Sequence, residues 1–262
     1  MTVPLSDEER EFVFQLVRRA GDFALSHWPA GEEQRSFTVE QKEDGSPVTS
    51  VDIAVNEMLY NEFSRHFPDY GFYSEELEPS SNIHDVKRCW VLDPIDGTKN
   101  FEQGHKEFGV LLGLVENGRA IFGVAYFPAF EMFFWAGTGQ GAFCNGEPMM
   151  ASEQKDLLPR SVYVRNGGIA AEEYIFPQEL GTAHGFFFLC TGKVDALSVR
   201  ITQHKEWDYC PFVVIVEESG AVVTDERGEP VRFHFMPPTL KYIVAANKKL
   251  HPKVLDLLPR LP

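Results

Sequence analysis

Two aspartates at a predicted turn are the clearest candidates for chemistry in this sequence. Asp93 and Asp96 lie three residues apart in the segment Asp-Pro-Ile-Asp-Gly-Thr, which follows a short apolar run at residues 89–92. Proline and glycine so close together predict that a strand ends and the chain turns, so both carboxylates can reach one point. Two carboxylates at that separation repel each other unless a cation lies between them. The pair therefore favours a site for a cation such as Mg²⁺, which prefers oxygen ligands.

Further acidic residues stand at two other positions from which ligands could come. Glu75 and Glu76 follow a short apolar segment, and Asp208 stands at the start of a predicted helix. Each signal is weak alone, because an aspartate at a helix start is often only an N-cap. A pair of aspartates can also be purely structural. The combination of these residues with the Gly-Thr that follows Asp96 favours a metal site.

Composition limits the class of partner. Hydrophobic residues make up 44% of the 262 residues and charged residues 24%, as in an ordinary globular protein of one large domain or two closely packed halves. The net charge of −15 argues against binding nucleic acid, which requires a basic face. It is compatible with an anionic substrate such as a phosphate ester only if bound cations invert the local field.

The expected location follows from what the sequence does not contain. No segment approaches the roughly 20 apolar residues that a membrane-spanning helix needs. Residues 1–11 are acidic where a signal peptide would be basic. We therefore expect a cytoplasmic protein with no membrane partner. The cysteines lie too far apart for a zinc site or a disulfide framework and predict free thiols; they are Cys89, Cys144, Cys190 and Cys210.

Hydrophobic periodicity predicts the elements that must position these residues. Helical spacing covers residues 6–28, 51–63, 182–191, 209–219 and 251–258. Strand patterns cover residues 89–92, 108–116, 119–127, 130–135, 194–199, 221–224 and 242–246. Ser6 and Glu9 form a capping-box pattern at the start of the first helix, and Asn117-Gly118 predicts a hairpin turn. Helices that alternate with largely antiparallel strands favour a layered α+β or α/β fold.

Several segments, taken together and in this order, resemble those of a known family. They are residues 48–52 (Val-Thr-Ser-Val-Asp), 75–76 (Glu-Glu), 93–98 (Asp-Pro-Ile-Asp-Gly-Thr) and 207–208 (Trp-Asp). They are similar to the signature segments of the inositol monophosphatase superfamily. That superfamily also includes histidinol-phosphate, 3′-phosphoadenosine 5′-phosphate and fructose-1,6-bisphosphate phosphatases. The resemblance implies one αβαβα sandwich over residues 1–262, with a metal-binding half at 1–150 and a smaller half at 151–262.

The resemblance also implies metal-assisted attack by water on phosphorus, with two or three Mg²⁺ ions and inhibition by lithium. Glu75, Asp93 and the carbonyl of Ile95 would hold one ion. Asp93, Asp96 and Asp208 would hold a second. Glu75 would take part in catalysis by helping to place a third ion through water. A homodimer is the usual assembly in the family and is expected here.

Two further roles are implied for residues beside the aspartates. Thr98, hydrogen-bonded to Asp52, would orient the attacking water and accept its proton through the pair. Gly97 and Thr98 would offer backbone N–H groups to the phosphate, and Asp208 would contact the substrate as well as the metal. The simpler alternatives are that Thr98 is a helix N-cap and that Asp52 is a first-turn acid of its helix.

The substrate is less well determined than the metal site. Inositol-specific members carry a glutamate a few residues before the Trp-Asp pair, whereas Glu206 directly adjoins Trp207 here. Arg200 resembles an arginine of the phosphoadenosine-phosphate branch that could bind a second phosphate, and the alternative is a surface charge. Residues 42–49 and Lys99 resemble the histidinol-phosphate and phosphoadenosine-phosphate branches.

We therefore expect a small phosphorylated metabolite, hydrolysed as in an inositol monophosphatase. The alternatives are 3′-phosphoadenosine 5′-phosphate or histidinol phosphate. A second alternative is a metal-binding scaffold without catalysis.

Overall fold

The computed structural model describes residues 4–30, 36–78, 83, 85–166, 169, 172–175, 181–202, 205–233 and 240–259. The helices are α1 (Asp7–His27), α2 (Ser50–His66), α3 (Thr98–Glu102), α4 (Thr182–Cys190), α5 (Glu206–Glu218) and α6 (His251–Asp256). The first strands are β1 (Val39–Gln41), β2 (Pro47–Thr49), β3 (Gly71–Ser74), β4 (Arg88–Asp96), β5 (Gly109–Glu116), β6 (Arg119–Phe127) and β7 (Met132–Gly137). The remaining strands are β8 (Gly141–Cys144), β9 (Glu147–Pro148), β10 (Val162–Arg165), β11 (Ala196–Arg200), β12 (Ala221–Thr224) and β13 (Tyr242–Asn247).

A seven-stranded sheet in the order β3-β4-β5-β6-β7-β8-β9 forms the larger of two packed sheets. Strands β3 and β4 run parallel, and the other neighbouring pairs are antiparallel. The turn between β5 and β6 confirms the predicted hairpin, because Asn117 and Gly118 have φ angles of 51° and 74°. Positive φ at both central residues is the type I′ geometry that matches the twist of a hairpin.

Helices and sheets alternate in five layers. Helices α1 and α2 pack together on one face of the large sheet, and α5 covers its other face together with α4. Beyond them lies the second sheet, in the order β10-β11-β13-β12, with α6 packed against β13 and β11. Each sheet must bury both faces, and helices supply the apolar cover. The arrangement confirms the predicted αβαβα layering.

The first helix begins where its sequence predicts. The Ser6 backbone N–H donates to Glu9 Oε2 at 2.7 Å, and the Glu9 N–H donates to Ser6 Oγ at 3.2 Å. This reciprocal pair satisfies two of the backbone donors that a helix start leaves unpaired. The capping-box prediction is therefore confirmed.

The structure corrects the predicted end of β4, because the strand continues through Asp96 instead of stopping at residue 92. Asp93 pairs with Leu111 and Asp96 with Gly109, so β4 spans one residue more than its partner over this stretch. The extra residue forms a β-bulge, which also accommodates Pro94, since a proline cannot donate to the strand ladder. The sharp change predicted from Pro and Gly is thus an irregularity inside a strand.

Two expectations about the chain as a whole are tested by these residues. All four cysteines are free, as predicted, and three of them are buried. Within the described ranges, no helix has the length and apolar character needed to cross a membrane. The proposed division at residue 150 stays a prediction.

A pair of glycines fixes the approach of α5 to the large sheet. Gly113 of β5 and Gly123 of β6 are directly opposite each other. A Cβ at Gly123 would lie 2.7 Å from the Pro211 Cα, and a Cβ at Gly113 would collide with the Cys210 sulfur. Both positions must therefore lack a side chain for α5 to lie this close.

We expect Gly123→Ala to lower the free energy of unfolding by about 1–3 kcal/mol, because the added methyl group meets helix backbone that must withdraw. Gly113→Ala should cost a similar amount but should be relieved by Cys210→Ala, which removes the colliding sulfur. Chemical denaturation of the variants measures both effects. Equal rescue of both glycine variants by Cys210→Ala would contradict the packing described here.

Candidate metal centre

The end of β4 carries one buried and one half-buried carboxylate. Asp93 is 2% exposed, and its Oδ1 atom has no hydrogen-bond partner among the described residues. Asp96 follows on the far side of the bulge, and an inserted residue of this kind re-aims the side chains around it. Burial raises the pKa of both carboxyl groups, and the negative charge of Glu75 raises both further.

The first turn of α5 supplies a third carboxylate. The helix begins at Glu206, so Asp208 is its third residue and not the residue that opens it. The Lys205 backbone N–H donates to Asp208 Oδ2 at 2.5 Å, which is a capping contact. The alternative interpretation of Asp208 as a helix-capping residue is therefore correct in part. The capping hydrogen bond holds the Asp208 carboxylate in place.

The three aspartates converge. One carboxylate oxygen from each of Asp93, Asp96 and Asp208 lies within 4.8 Å of the others. Burial raises the pKa of Asp208, and the nearby charge of Asp96 adds to that effect. Ionised together without a cation, these groups would repel each other at a cost that burial increases. The donor set of three converging carboxylate oxygens fits a hard cation, and Mg²⁺ fits this set because it uses few protein carboxylates.

Glu75 lies beside this cluster but outside it. Its backbone N–H donates to the Leu92 carbonyl at 3.2 Å, which places it next to β4. Its Oε1 atom accepts a hydrogen bond from Lys42 Nζ at 2.6 Å, and Glu76 Oε1 accepts from the same ammonium at 2.5 Å. Three of the four predicted metal-binding side chains, those of Asp93, Asp96 and Asp208, therefore lie close enough together to hold one cation. The metal role of Glu75 stays a prediction.

Thr98 and Asp52 meet beside the aspartates. Thr98 Oγ1 lies 3.0 Å from Asp52 Oδ1 and 3.0 Å from the carbonyl oxygen of Ile95. Asp52 is 1% exposed, and its other oxygen accepts hydrogen bonds from the backbone and hydroxyl of Thr49, the N-cap of α2. The interpretation of Asp52 as a first-turn acid is therefore correct, and so is its predicted contact with Thr98.

Gly97 is required by the backbone at the start of α3. It has a φ of 79°, and a Cβ there would collide with the carbonyl oxygen of Glu107. Only glycine avoids both the strain of a positive φ and the collision with this carbonyl oxygen. This explains why glycine directly follows Asp96. The predicted contacts of Gly97 and Thr98 with a phosphate stay predictions.

A cavity of about 340 Å³ opens beside the cluster. Its described lining is Asp96, Gly97, Asn100, Glu107, Phe127, Arg165, Asn166, Gly181, Thr182, Ala183, His184, Thr202 and Asp208. Arg200 does not belong to this described lining, and its side chain lies exposed at the end of β11. Its predicted contact with substrate stays a prediction.

Sequence reasoning missed two cationic residues of this region. Arg165 ends β10, in a stretch of weak periodicity that gave no signal. Lys42 lies beyond β1 and meets two glutamates more than thirty residues away, a contact that only the tertiary structure creates. Residues 203 and 204, which precede the Trp-Asp pair, lie outside the described residues.

Known proteins of several named activities are similar to this chain over most of its length. The chain is 30% identical over 259 residues to a fructose-1,6-bisphosphatase/inositol-1-monophosphatase of Thermotoga maritima, across 95% of this chain and 94% of that relative. It is 29% identical to a histidinol-phosphatase of Chlorobaculum parvum, across 83% of this chain and 86% of the relative. It is also 29% identical to the 3′(2′),5′-bisphosphate nucleotidase CysQ of Escherichia coli, across 84% of this chain and 92% of the relative.

The solved structure of a Thermotoga maritima IMPase superposes with a TM-score of 0.78 at 28% identity, and the match covers 95% of this chain and 96% of that one. Residues 6–262 match the sequence pattern of the inositol monophosphatase family. Members of this family are phosphatases, which argues against the alternative of a silent scaffold. The chain therefore belongs to the inositol monophosphatase family and is a phosphoric monoester hydrolase.

Proposed function

We propose that this phosphatase hydrolyses a small phosphate monoester with Mg²⁺ held by Asp93, Asp96 and Asp208. The observation that carries the proposal is the convergence of three carboxylate oxygens within 4.8 Å, at the side of a cavity large enough for a metabolite. Two members of the cluster, Asp96 and Asp208, also line that cavity. A phosphate that enters the cavity is therefore brought to the cations.

The proposed metal ligands include two groups in addition to the three aspartates. Glu75 and the carbonyl of Ile95 would join Asp93 around one ion, and Glu75 would help to place a third. When bound, Mg²⁺ lowers the pKa of water and neutralises charge on phosphoryl oxygens. The negative charge of the cluster and of the whole chain is then compatible with an anionic substrate.

Thr98 and Asp52 supply the proton path in this proposal. Thr98 Oγ1 accepts a proton from the attacking water and passes its own proton to Asp52 Oδ1, 3.0 Å away. Burial raises the pKa of Asp52, which makes its carboxylate a better proton acceptor. The backbone N–H groups of Gly97 and Thr98 bind the phosphate, and Asp208 contacts the substrate beside the cluster.

The substrate assignment is an inositol-type phosphate, with 3′-phosphoadenosine 5′-phosphate or histidinol phosphate as alternatives. The named relatives of all three kinds are 28–30% identical to this chain, so identity favours none of them. Phosphate release from inositol 1-phosphate, histidinol phosphate, phosphoadenosine phosphate and fructose 1,6-bisphosphate in Mg²⁺ tests the assignment. A homodimer stays a prediction.

Lys42 and a cation compete for one carboxylate in this arrangement. The Lys42 ammonium lies between Glu75 and Glu76, and the Glu76 side chain is only 6% exposed. Burial raises the pKa of Glu76, while Lys42 favours its ionised form. A divalent ion at Glu75 would therefore take over part of the charge compensation that Lys42 provides.

Asp96→Asn should lower kcat by at least about a hundredfold, because it removes a metal ligand and its charge. This loss exceeds what is usual for residues that only support metal ligands through hydrogen bonds. The fold should persist, since the amide has nearly the same shape. Phosphate release at saturating Mg²⁺ measures the effect, and the same change at exposed Asp69 is the control. Turnover at the wild-type rate in Asp96→Asn would refute the proposed site.

Two variants distinguish the role of Asp52 in helix capping from its role in proton transfer. Thr98→Val should lower kcat by about 10²–10⁴-fold, the range of general acid–base catalysis, with little loss of stability. Thr49→Ala removes the α2 cap and should cost about 1 kcal/mol of stability while most turnover remains. Rate measurements and thermal unfolding of both variants test this. The reverse pattern would show that Asp52 acts only as a capping residue.

Lys42→Met should lower the free energy of unfolding by about 1–3 kcal/mol in chelator, because it leaves Glu76 buried without its partner. Added Mg²⁺ should stabilise this variant more than the wild type, since the cation restores charge compensation near Glu75. Thermal unfolding with and without Mg²⁺ measures both effects, with exposed Lys248→Met as the control. An identical Mg²⁺ response in wild type and variant would contradict the competition.

A further inference from the structure

One basic side chain stands out in a cavity that is otherwise acidic. Among the described residues that line it, Arg165 carries the only permanent positive charge, whereas Asp96, Glu107 and Asp208 are acidic. Arg165 is the last residue of β10, which pairs in parallel with β11 through Val199. The strand therefore fixes its backbone, and Arg165 lines the same cavity as Asp96 and Asp208.

The Arg165 side chain lacks an acceptor among the described residues. Its Nε atom is buried and makes no hydrogen bond to any of them, and no carboxylate of the described residues forms an ion pair with Arg165. A buried donor without an acceptor is costly, and a charged one more so. An arginine presents its donors in a planar fork that matches a phosphate or a carboxylate. The missing acceptor is therefore best supplied by a ligand in the cavity.

One further feature of the cavity favours an anion near Arg165, although three acidic residues also line it. Helix α4 begins in the same cavity, and its N-cap, Gly181, has no side chain to accept from the first-turn N–H groups. Those groups carry the positive end of the helix dipole. Asn166, which also lines the cavity, is held by hydrogen bonds from its Nδ2 atom to the Arg200 carbonyl at 3.2 Å and to Thr202 Oγ1 at 3.4 Å.

His184 does not provide an alternative cation. It lines the cavity, but its ring packs among Phe127, Phe130 and Phe188, and burial lowers its pKa so that the neutral form is favoured. Arg200 does not compete either, because its exposed side chain lies outside the described lining. Among the described side chains that line the cavity, the positive charge available to a ligand is therefore that of Arg165.

We propose that Arg165 binds a second anionic group of the substrate, so that this phosphatase prefers phosphate monoesters that also carry a phosphate or a carboxylate. The inference rests on the proposed function, since the first phosphate is the one presented to the aspartate cluster. It makes Arg165 a specificity-determining residue and gives it the role that sequence resemblance assigned to Arg200.

Matched substrate pairs test this preference. For a second phosphate, kcat/KM for 3′-phosphoadenosine 5′-phosphate is divided by that for adenosine 3′-monophosphate. For a carboxylate, 3-phosphoglycerate is compared with glycerol 1-phosphate. We expect a ratio well above one in at least one pair. Arg165→Gln should lower that ratio by about 10–100-fold, as expected for a lost charge-assisted hydrogen bond. Arg165→Lys, which keeps the charge without the fork, should restore part of it.

Two control variants decide between explanations. Arg65→Gln, at a side chain that is 73% exposed, should leave the ratio unchanged. A ratio near one for the wild type in both pairs, or an unchanged ratio in Arg165→Gln, would overturn the inference. Loss of the ratio in Arg200→Gln but not in Arg165→Gln would return the role to Arg200.

Binding measurements allow the inference about Arg165 to be tested even without turnover. If none of the four compounds releases phosphate, the same ratios are taken from dissociation constants measured by calorimetry in Mg²⁺. Equal binding within each pair would overturn the inference about Arg165. A retained binding ratio with no phosphate release from any compound or from the wider substrate panel would instead refute the proposed reaction.

Discussion

The electrostatic repulsion among three converging aspartates, one of them buried and two half-buried, is the constraint on which the rest of this structure depends. Asp93, Asp96 and Asp208 come from a strand end and from the first turn of a helix, and each pays a desolvation cost if it ionises. Such a cluster persists only where tertiary packing holds the groups in place. Chelation of a cation would remove this repulsion, and in the proposed function the bound cation allows an acidic protein to attract a phosphate ester.

The packing that enforces this convergence lies away from the charges. A bulge in β4 sets the direction of its two aspartates, and the facing glycines Gly113 and Gly123 let α5 lie against the large sheet. Because α5 is held so closely, the first turn that carries Asp208 is fixed relative to β4. The site thus depends on the absence of side chains at two positions that take no part in chemistry.

Positive charge is used sparingly around this acidic centre. Lys42, directly after β1, compensates Glu75 and Glu76, and Arg165 lines the cavity beside the cluster. The two cations differ, because Lys42 pairs with protein carboxylates whereas the Arg165 Nε lacks an acceptor among the described residues. In the proposed function, the first compensates charge near the metal ligands and the second is available to a ligand.

The sequence by itself determined the local features: the capping box of Ser6, the hairpin at Asn117, the layered fold class and the acidic residues of the site. These depend on neighbours within a few residues or on hydrophobic period, which the chain order contains. It misplaced the end of β4, because a bulge depends on pairing with β5. Only the tertiary structure decided that Lys42 meets Glu75 and that Arg165, not Arg200, lines the cavity, because such contacts join residues far apart in the chain.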